Sequence, residues 1–186
     1  KYGFLQPVVD REKCIECGAC TKVCIFKNPI KGVEPVGALL TAHKDYRVQM
    51  DSSSGGAFTA ICQAITKAHP GSEITYYGAA WQQDFHVAHE RVSKLEDIVR
   101  FRKSKYLQSE VYHQFENVCK DLVQGKIVVF SGTPCQIAAI NRAVKCNNEN
   151  LYTIDLVCNG VGSPKAFQNY LVNKYGEVSS VDMRHK

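Results

Sequence analysis

Beyond residue 50 the apolar positions fall into alternating helix-like and strand-like periods. Ala57, Phe58, Ile61, Cys62, Ile65 and Ala68 recur at the three- and four-residue steps that give a helix one buried face. The small-residue run Asp51-Ser52-Ser53-Ser54-Gly55-Gly56 opens that helix, and Pro70-Gly71 closes it. Ile74 to Trp81 then reads as a strand, with a shorter strand around His86 to Val92. Ser93-Lys94-Leu95-Glu96 has the form of a capping box and should start a short helix toward Phe101. Val111, Phe115, Val118, Cys119, Leu122 and Val123 mark a second helix, with Gly125 where a C-terminal cap belongs. Lys126 to Phe130 follows as a buried strand. A helix from about Gln136 to Val144, a strand from Leu151 to Val157 and a helix from Pro164 to Tyr175, stopped by Gly176, continue the series. Val181 to Arg184 is expected to begin one more strand.

Strand and helix in alternation predict an α/β fold: a mostly parallel sheet flanked by helices, with right-handed crossovers. The first fifty residues do not share the pattern. Pro7, Pro29, Gly32, Pro35 and Gly37 interrupt short apolar pieces, so this stretch needs something other than a core to fix it, and a bound cluster would serve. Two units are therefore expected, an irregular segment over 1–49 and an α/β domain over 50–186.

Composition narrows the setting. Apolar residues make up 45% of 186 positions, enough for an ordinary core. Lys and Arg number 23 against 18 Asp and Glu, and the resulting +5 is spread along the chain rather than gathered into a stripe, which does not imply nucleic acid. No apolar run approaches the roughly 18 residues of a membrane span, and Lys1-Tyr2-Gly3-Phe4 lacks a signal-peptide pattern. Nine cysteines are many, but four fall in one short run and the rest are scattered. That distribution favours thiolates used for metal over a disulfide framework, hence a reducing, cytoplasmic setting.

The run is Cys14-Ile15-Glu16-Cys17-Gly18-Ala19-Cys20-Thr21-Lys22-Val23-Cys24, with the intervals of bacterial ferredoxins that bind cubane 4Fe-4S clusters. Closely spaced thiolates can wrap one face of the cubane, while Gly18 and Ala19 let backbone N–H groups approach its sulfurs. Zinc sites more often separate two pairs by a longer loop. Ile25 stands where the motif usually has proline. In two-cluster ferredoxins the fourth cysteine ligates the other cluster, and no second such motif exists in this chain. Cys14, Cys17 and Cys20 are thus expected to bind one cluster and Cys24 to serve a neighbour, the segment being the second half of a two-cluster module whose first motif would lie upstream.

Two further cysteines each follow a strand, Cys135 in Ser131-Gly132-Thr133-Pro134-Cys135-Gln136 and Cys158 in Cys158-Asn159-Gly160. Parallel strands would put both at carboxyl ends, where open α/β sheets bind ligands, and a helix following each would favour thiolate. They read as metal ligands, with buried structural cysteines or a nucleophile as alternatives. Cys62 and Cys119 read as small hydrophobes on helix faces, and Cys146 as a loop residue without chemistry. Ser52-Ser53-Ser54-Gly55-Gly56 ahead of a helix is a weak phosphate signal. Arg100-Phe101-Arg102-Lys103-Ser104-Lys105-Tyr106 adds four cations that can meet a pyrophosphate or form a solvated loop. His43, His69, His86, His89, His113 and His185 show no ligand spacing and read as surface or satisfied residues.

Ser53-Ser54-Gly55-Gly56, Lys103-Ser104-Lys105-Tyr106-Leu107-Gln108-Ser109, Ser131-Gly132-Thr133-Pro134-Cys135-Gln136 and Asp155-Leu156-Val157-Cys158-Asn159-Gly160 together resemble the coenzyme F420 hydrogenase/dehydrogenase beta-subunit family. The ferredoxin motif ahead of them looks like that of bacterial members. The resemblance implies a flavoprotein that holds FAD and passes electrons between a hydride carrier, such as coenzyme F420, and 4Fe-4S clusters. It implies that Ser54, Gly55 and Gly56 contact FAD, with Lys105 and Tyr106 close by. It also implies that Cys135 and Cys158 ligate a cluster near the flavin, completed by a Cys-x-x-Cys pair later in the family's chain. No such pair follows Cys158, so the α/β domain is expected to be incomplete at its C-terminus. The expected partner is a redox protein or a small hydride carrier. The competing readings are an electron-transfer or scaffold protein without flavin, and an enzyme using Cys135 as a nucleophile, although no base is paired with Cys135 by sequence.

Overall fold

The computed structural model describes residues 2–29, 34–144 and 148–184. Five strands, β1 (Ile74–Trp81), β2 (Val87–Val92), β3 (Ser109–Glu110), β4 (Ile127–Gly132) and β5 (Leu151–Asp155), form one sheet in the order β3-β2-β1-β4-β5. Three of its four pairings are parallel; β1 and β2 alone run antiparallel, through the turn at Gln82 to His86. The mostly parallel α/β sheet is as the patterning predicts, with one hairpin inserted.

Strand residues alternate between faces, and here each face has its own core. Tyr76, Ile74, Ala80, Ile127 and Val129 pack with Cys62 and Ile65 of α3 (Ala57–Ala68) and with Ile98 and Phe101 of a 3-10 helix (Leu95–Phe101). Their strand neighbours Tyr77, Val128 and Phe130 point the other way. They meet Val118 and Leu122 of α4 (Tyr112–Val123) and Ile137 and Ile140 of α5 (Pro134–Ala143). Burial on both sides is why β4 reads as an unbroken apolar run. The crossover from β4 through α5 to β5 continues into α6 (Pro164–Tyr175), which ends at Gly176 as its sequence requires.

Several expectations are corrected. On α3 the buried face contains Thr59, while Ile61 is exposed. The Ser93 capping box does not form. The element is a 3-10 helix capped at Lys94 without a side-chain bond, and Ser93 instead accepts a hydrogen bond from Arg91. Helix α5 starts two residues earlier than expected, because Thr133 and Gln136 make the capping box and Pro134 sits in its first turn. Strand β5 stops at Asp155, leaving Leu156 and Val157 exposed. Val181 to Arg184 forms no strand; Met183 Sδ accepts the Tyr106 amide at 3.1 Å and Lys103 pairs with Asp182 at 2.8 Å. Cys146 and His185 lie outside the described residues.

The α4 face holds a buried ionic group that the sequence did not announce. Asp121 accepts two bonds from Arg91, at 2.7 and 2.8 Å, one from the Tyr77 hydroxyl at 2.6 Å, and pairs with Lys126 at 3.3 Å. Burial works against its charge, but these partners outweigh that and hold the carboxyl well below the usual range.

Candidate functional site

The register Gly132↔Asp155 aligns the carboxyl ends of β4 and β5. Cys135 and Cys158 each lie three residues beyond that pair, so both emerge from the same edge of the sheet. Cys135 is in the first turn of α5 rather than ahead of it, with Thr133 Oγ1 at 3.2 Å from its sulfur. Cys158 sits in a loop before Ser163, the cap of α6, and its sulfur accepts the Gly160 amide at 3.4 Å. No basic side chain is bonded to either thiol among the described residues.

Next to Cys135 is a closed ring of hydrogen bonds. His89 Nε2 donates to the Ser131 carbonyl at 3.0 Å, which leaves Nδ1 to accept from the Ser109 hydroxyl at 3.0 Å. Ser109 accepts from Gln136 Nε2 at 2.9 Å, and Gln136 Oε1 accepts the Thr133 amide at 3.0 Å. The ring begins and ends on residues 131 and 133, so it braces the turn that presents Cys135. Gly132 permits it, since a side chain there would meet Gln136 Oε1 at 3.0 Å. Burial pushes the His89 imidazole down to about 4, against the pull of the Ser131 carbonyl and with help from the Lys105 charge. His89 is therefore a satisfied, neutral core histidine, as its lack of ligand spacing indicated.

The two loops singled out for a phosphorylated cofactor do meet. Ser53 Oγ accepts the Ser104 amide at 2.9 Å, and Arg102 donates to Thr59 of α3 at 3.1 Å. Lys105 is half-buried, donates to the Arg102 carbonyl at 2.8 Å, and has its ammonium pushed down to about 8 by that burial. Ser52 Oγ is buried with no partner among the described residues, an orphan that a phosphate oxygen would satisfy. The glycines have a second use. Gly56 takes φ 77°, and its open side is filled by His43, whose Cβ lies 2.7 Å from where a Gly56 Cβ would stand. His43 also donates its amide to the Gly55 carbonyl at 2.7 Å. Ser52, Ser53, Arg102 and Lys105 thus fit a phosphate-bearing group, while the His43 side of Gly56 is closed by the chain itself.

In the cysteine run, Gly18 in the left-handed region precedes the short helix α1 (Ala19–Val23), which carries Cys20 and is closed by Cys24. Helix α2 (Tyr46–Met50), capped by Asp45, leads from the irregular segment into the Ser52 loop. Cys14, Cys17, Cys20 and Cys24 are free thiols. They do not converge: among the described residues no three Cys, His, Asp or Glu side chains stand together as a metal group. Their donor chemistry fits a cubane, and a Cβ at Gly18 would meet nothing within 4 Å, so that side has room for one. The segment is tied to the sheet domain at both ends. Gln108 pairs with the backbone of Leu5 at 2.6 and 2.9 Å, and Ser163 donates to the Tyr2 carbonyl, while Arg142 donates to the Val23 and Asn28 carbonyls. Arg142 and the His89 ring were not singled out by sequence, because each depends on groups brought together only by the fold.

Residues 125–185 match the family model for the C-terminal part of the coenzyme F420 hydrogenase/dehydrogenase beta subunit, and residues 5–24 match that of a 4Fe-4S binding domain. A chain of the xenon-derivatized F420-reducing NiFe hydrogenase complex from Methanosarcina barkeri has the same fold, with a TM-score of 0.58 at 18% identity. The match covers 74% of this chain and 49% of that one, so this chain spans about half the length of that structural relative. No curated protein matches by sequence. No helix among the described residues is long and apolar enough to cross a membrane. Residues 125–185 thus resemble the C-terminal part of the coenzyme F420 hydrogenase/dehydrogenase beta subunit, behind an N-terminal segment that resembles a 4Fe-4S binding domain.

Proposed function

We propose that this chain is an iron-sulfur flavoprotein oxidoreductase, or the electron-input subunit of one, passing electrons between a hydride carrier, FAD and 4Fe-4S clusters. The observation that carries the reading is the junction of the Ser52–Gly56 loop with the Arg102–Tyr106 loop, where Ser53 Oγ accepts the Ser104 amide in the segment that carries the half-buried cations Arg102 and Lys105. FAD, when bound, supplies the exchange between hydride transfer and single-electron transfer. This chain's residues would hold it: Ser52, Ser54 and the Gly55–Gly56 backbone at a phosphate, Lys105 and Tyr106 alongside. Cys14, Cys17 and Cys20 would bind one cluster, with Cys24 completing it or reaching a neighbour, and Cys135 and Cys158 would contribute to a further cluster at the sheet edge. The partner is a redox protein or a small carrier of the coenzyme F420 type.

A second reading, an electron-transfer protein without flavin, is favoured by one observation, the filling of the Gly56 cradle by His43. Anaerobic reconstitution with iron, sulfide and FAD, followed by counting each per chain, separates the two. Bound FAD together with iron is the expected result. Iron without flavin would sink the flavoenzyme reading.

A further inference from the structure

The turn that contains Cys24 is locked by hydrogen bonds from both sides. From within, the Cys24 amide donates to the Thr21 carbonyl at 3.3 Å and the Asn28 amide to the Cys24 carbonyl at 2.8 Å. Asn28 Nδ2 also reaches the Thr21 and Lys22 carbonyls at 2.9 and 3.2 Å. From without, Arg142 Nη1 donates to the Val23 carbonyl at 3.2 Å and Nη2 to the Asn28 carbonyl at 2.7 Å. The guanidinium fork therefore spans the turn, holding the residue just before Cys24 and the residue that closes it. A planar two-nitrogen donor is suited to two carbonyls in fixed relation, and a lysine ammonium is not.

Arg142 lies in the last turn of α5, and Cys135 in its first. The helix between them is anchored in the core by Ile137 and Ile140, which makes it a rigid rod. Seven residues of α-helix separate the two positions by about 10 Å along the axis. One element thus presents a cysteine at the sheet edge and grips the backbone around another cysteine in the 4Fe-4S segment.

We propose that Arg142 is a positioning residue for Cys24: it fixes the Cys24 thiol as an iron-sulfur ligand and, through α5, sets its place relative to Cys135. This rests on the reading of the cysteine run as a 4Fe-4S site. Three variants test it, Arg142→Ala, Arg142→Lys and Cys24→Ser. In the iron-free, reduced chain, iodoacetamide labelling read by peptide mass spectrometry should show Cys24 reacting roughly fivefold faster in Arg142→Ala, as expected for losing a hydrogen-bond clamp of ordinary strength. Cys17 should react unchanged, and Arg142→Lys should recover less than half of the effect. In the reconstituted, reduced chain, the paramagnetic resonance component lost in Cys24→Ser should shift in Arg142→Ala. Unchanged Cys24 labelling and an unchanged spectrum in Arg142→Ala overturn the proposal, as does a Cys24→Ser spectrum identical to that of the parent. A parent chain that takes up no iron instead sinks the iron-sulfur reading, and the ligand role with it.

Discussion

Ser53 accepts the main-chain amide of Ser104 at 2.9 Å, joining two loops 51 residues apart in the chain. A serine hydroxyl tying a loop amide is worth about 1 kcal/mol in an ordinary setting. Its greater effect is geometric, because it holds the loop that carries Arg102 and Lys105 against the Ser52–Gly56 loop. Ser53→Ala should therefore weaken FAD binding by about fivefold to tenfold while lowering the unfolding midpoint only slightly. Flavin fluorescence titration of the reconstituted chain measures the first and a thermal melt the second. Equal FAD affinity in parent and variant would show that the two loops do not build the site together.

Asp121 has the opposite character: its role is in stability. It is 4% exposed and bound to Arg91, Tyr77 and Lys126. Removing one partner of such a group strands the others, at a cost of about 3–5 kcal/mol. Asp121→Ala should accordingly lower the urea midpoint sharply, whereas Tyr77→Phe, which removes one donor and keeps the ring between the sheet and α4, should cost about 1–2 kcal/mol. Similar midpoints for Asp121→Ala and the parent would mean that the cluster contributes little net stability.

The contrast between these two sites explains what the sequence could reveal. Elements with one dominant period were legible: β1, α4 and α6 lie where apolar spacing, Gly125 and Gly176 put them. The ferredoxin-type cysteine spacing and the two candidate loops at Ser53 and Ser104 could be picked out because each pattern is local in sequence. The Ser93 box misled because the Arg91 guanidinium took the serine hydroxyl that a cap needs. The ionic cluster of Asp121, the hydrogen-bond ring of His89 and the clamp made by Arg142 were not legible. Each has a partner far off in the chain, Arg91 at 30 residues from Asp121, Ser131 at 42 from His89 and Val23 at 119 from Arg142, and single-sequence periodicity contains no information about such pairs.

His89 gives the fold a definite pH response. An unfolded histidine takes up its proton near 6.5, whereas buried His89 resists it down to about 4. Between those values the unfolded chain binds more protons, so this contribution is complete above about pH 6.5 and is lost as pH falls toward 4. The whole window corresponds to about 3 kcal/mol. Urea midpoints measured at pH 7 and pH 4.5 should fall further for the parent than for His89→Gln, which lacks the titrating ring. Identical pH slopes would rule out His89 as their source.

The cysteines at the sheet edge and those in the N-terminal run should behave as separate sites. Cys135 opens α5, while the contact with the Cys24 turn is made at the other end, about 10 Å along the helix axis. A cubane held by thiolates of the run has no need of a ligand from the opposite end of that rod. Cys17→Ser should therefore remove about four iron atoms per chain after reconstitution, and Cys135→Ser should leave those four in place. Iron analysis and visible absorption check both. If Cys135→Ser instead empties the run, the two groups of cysteines share one cluster. If it retains all iron but abolishes electron transfer from a reduced hydride carrier, the Cys135 sulfur acts in the reaction itself, although among the described residues Thr133 Oγ1 is its one side-chain hydrogen-bond neighbour.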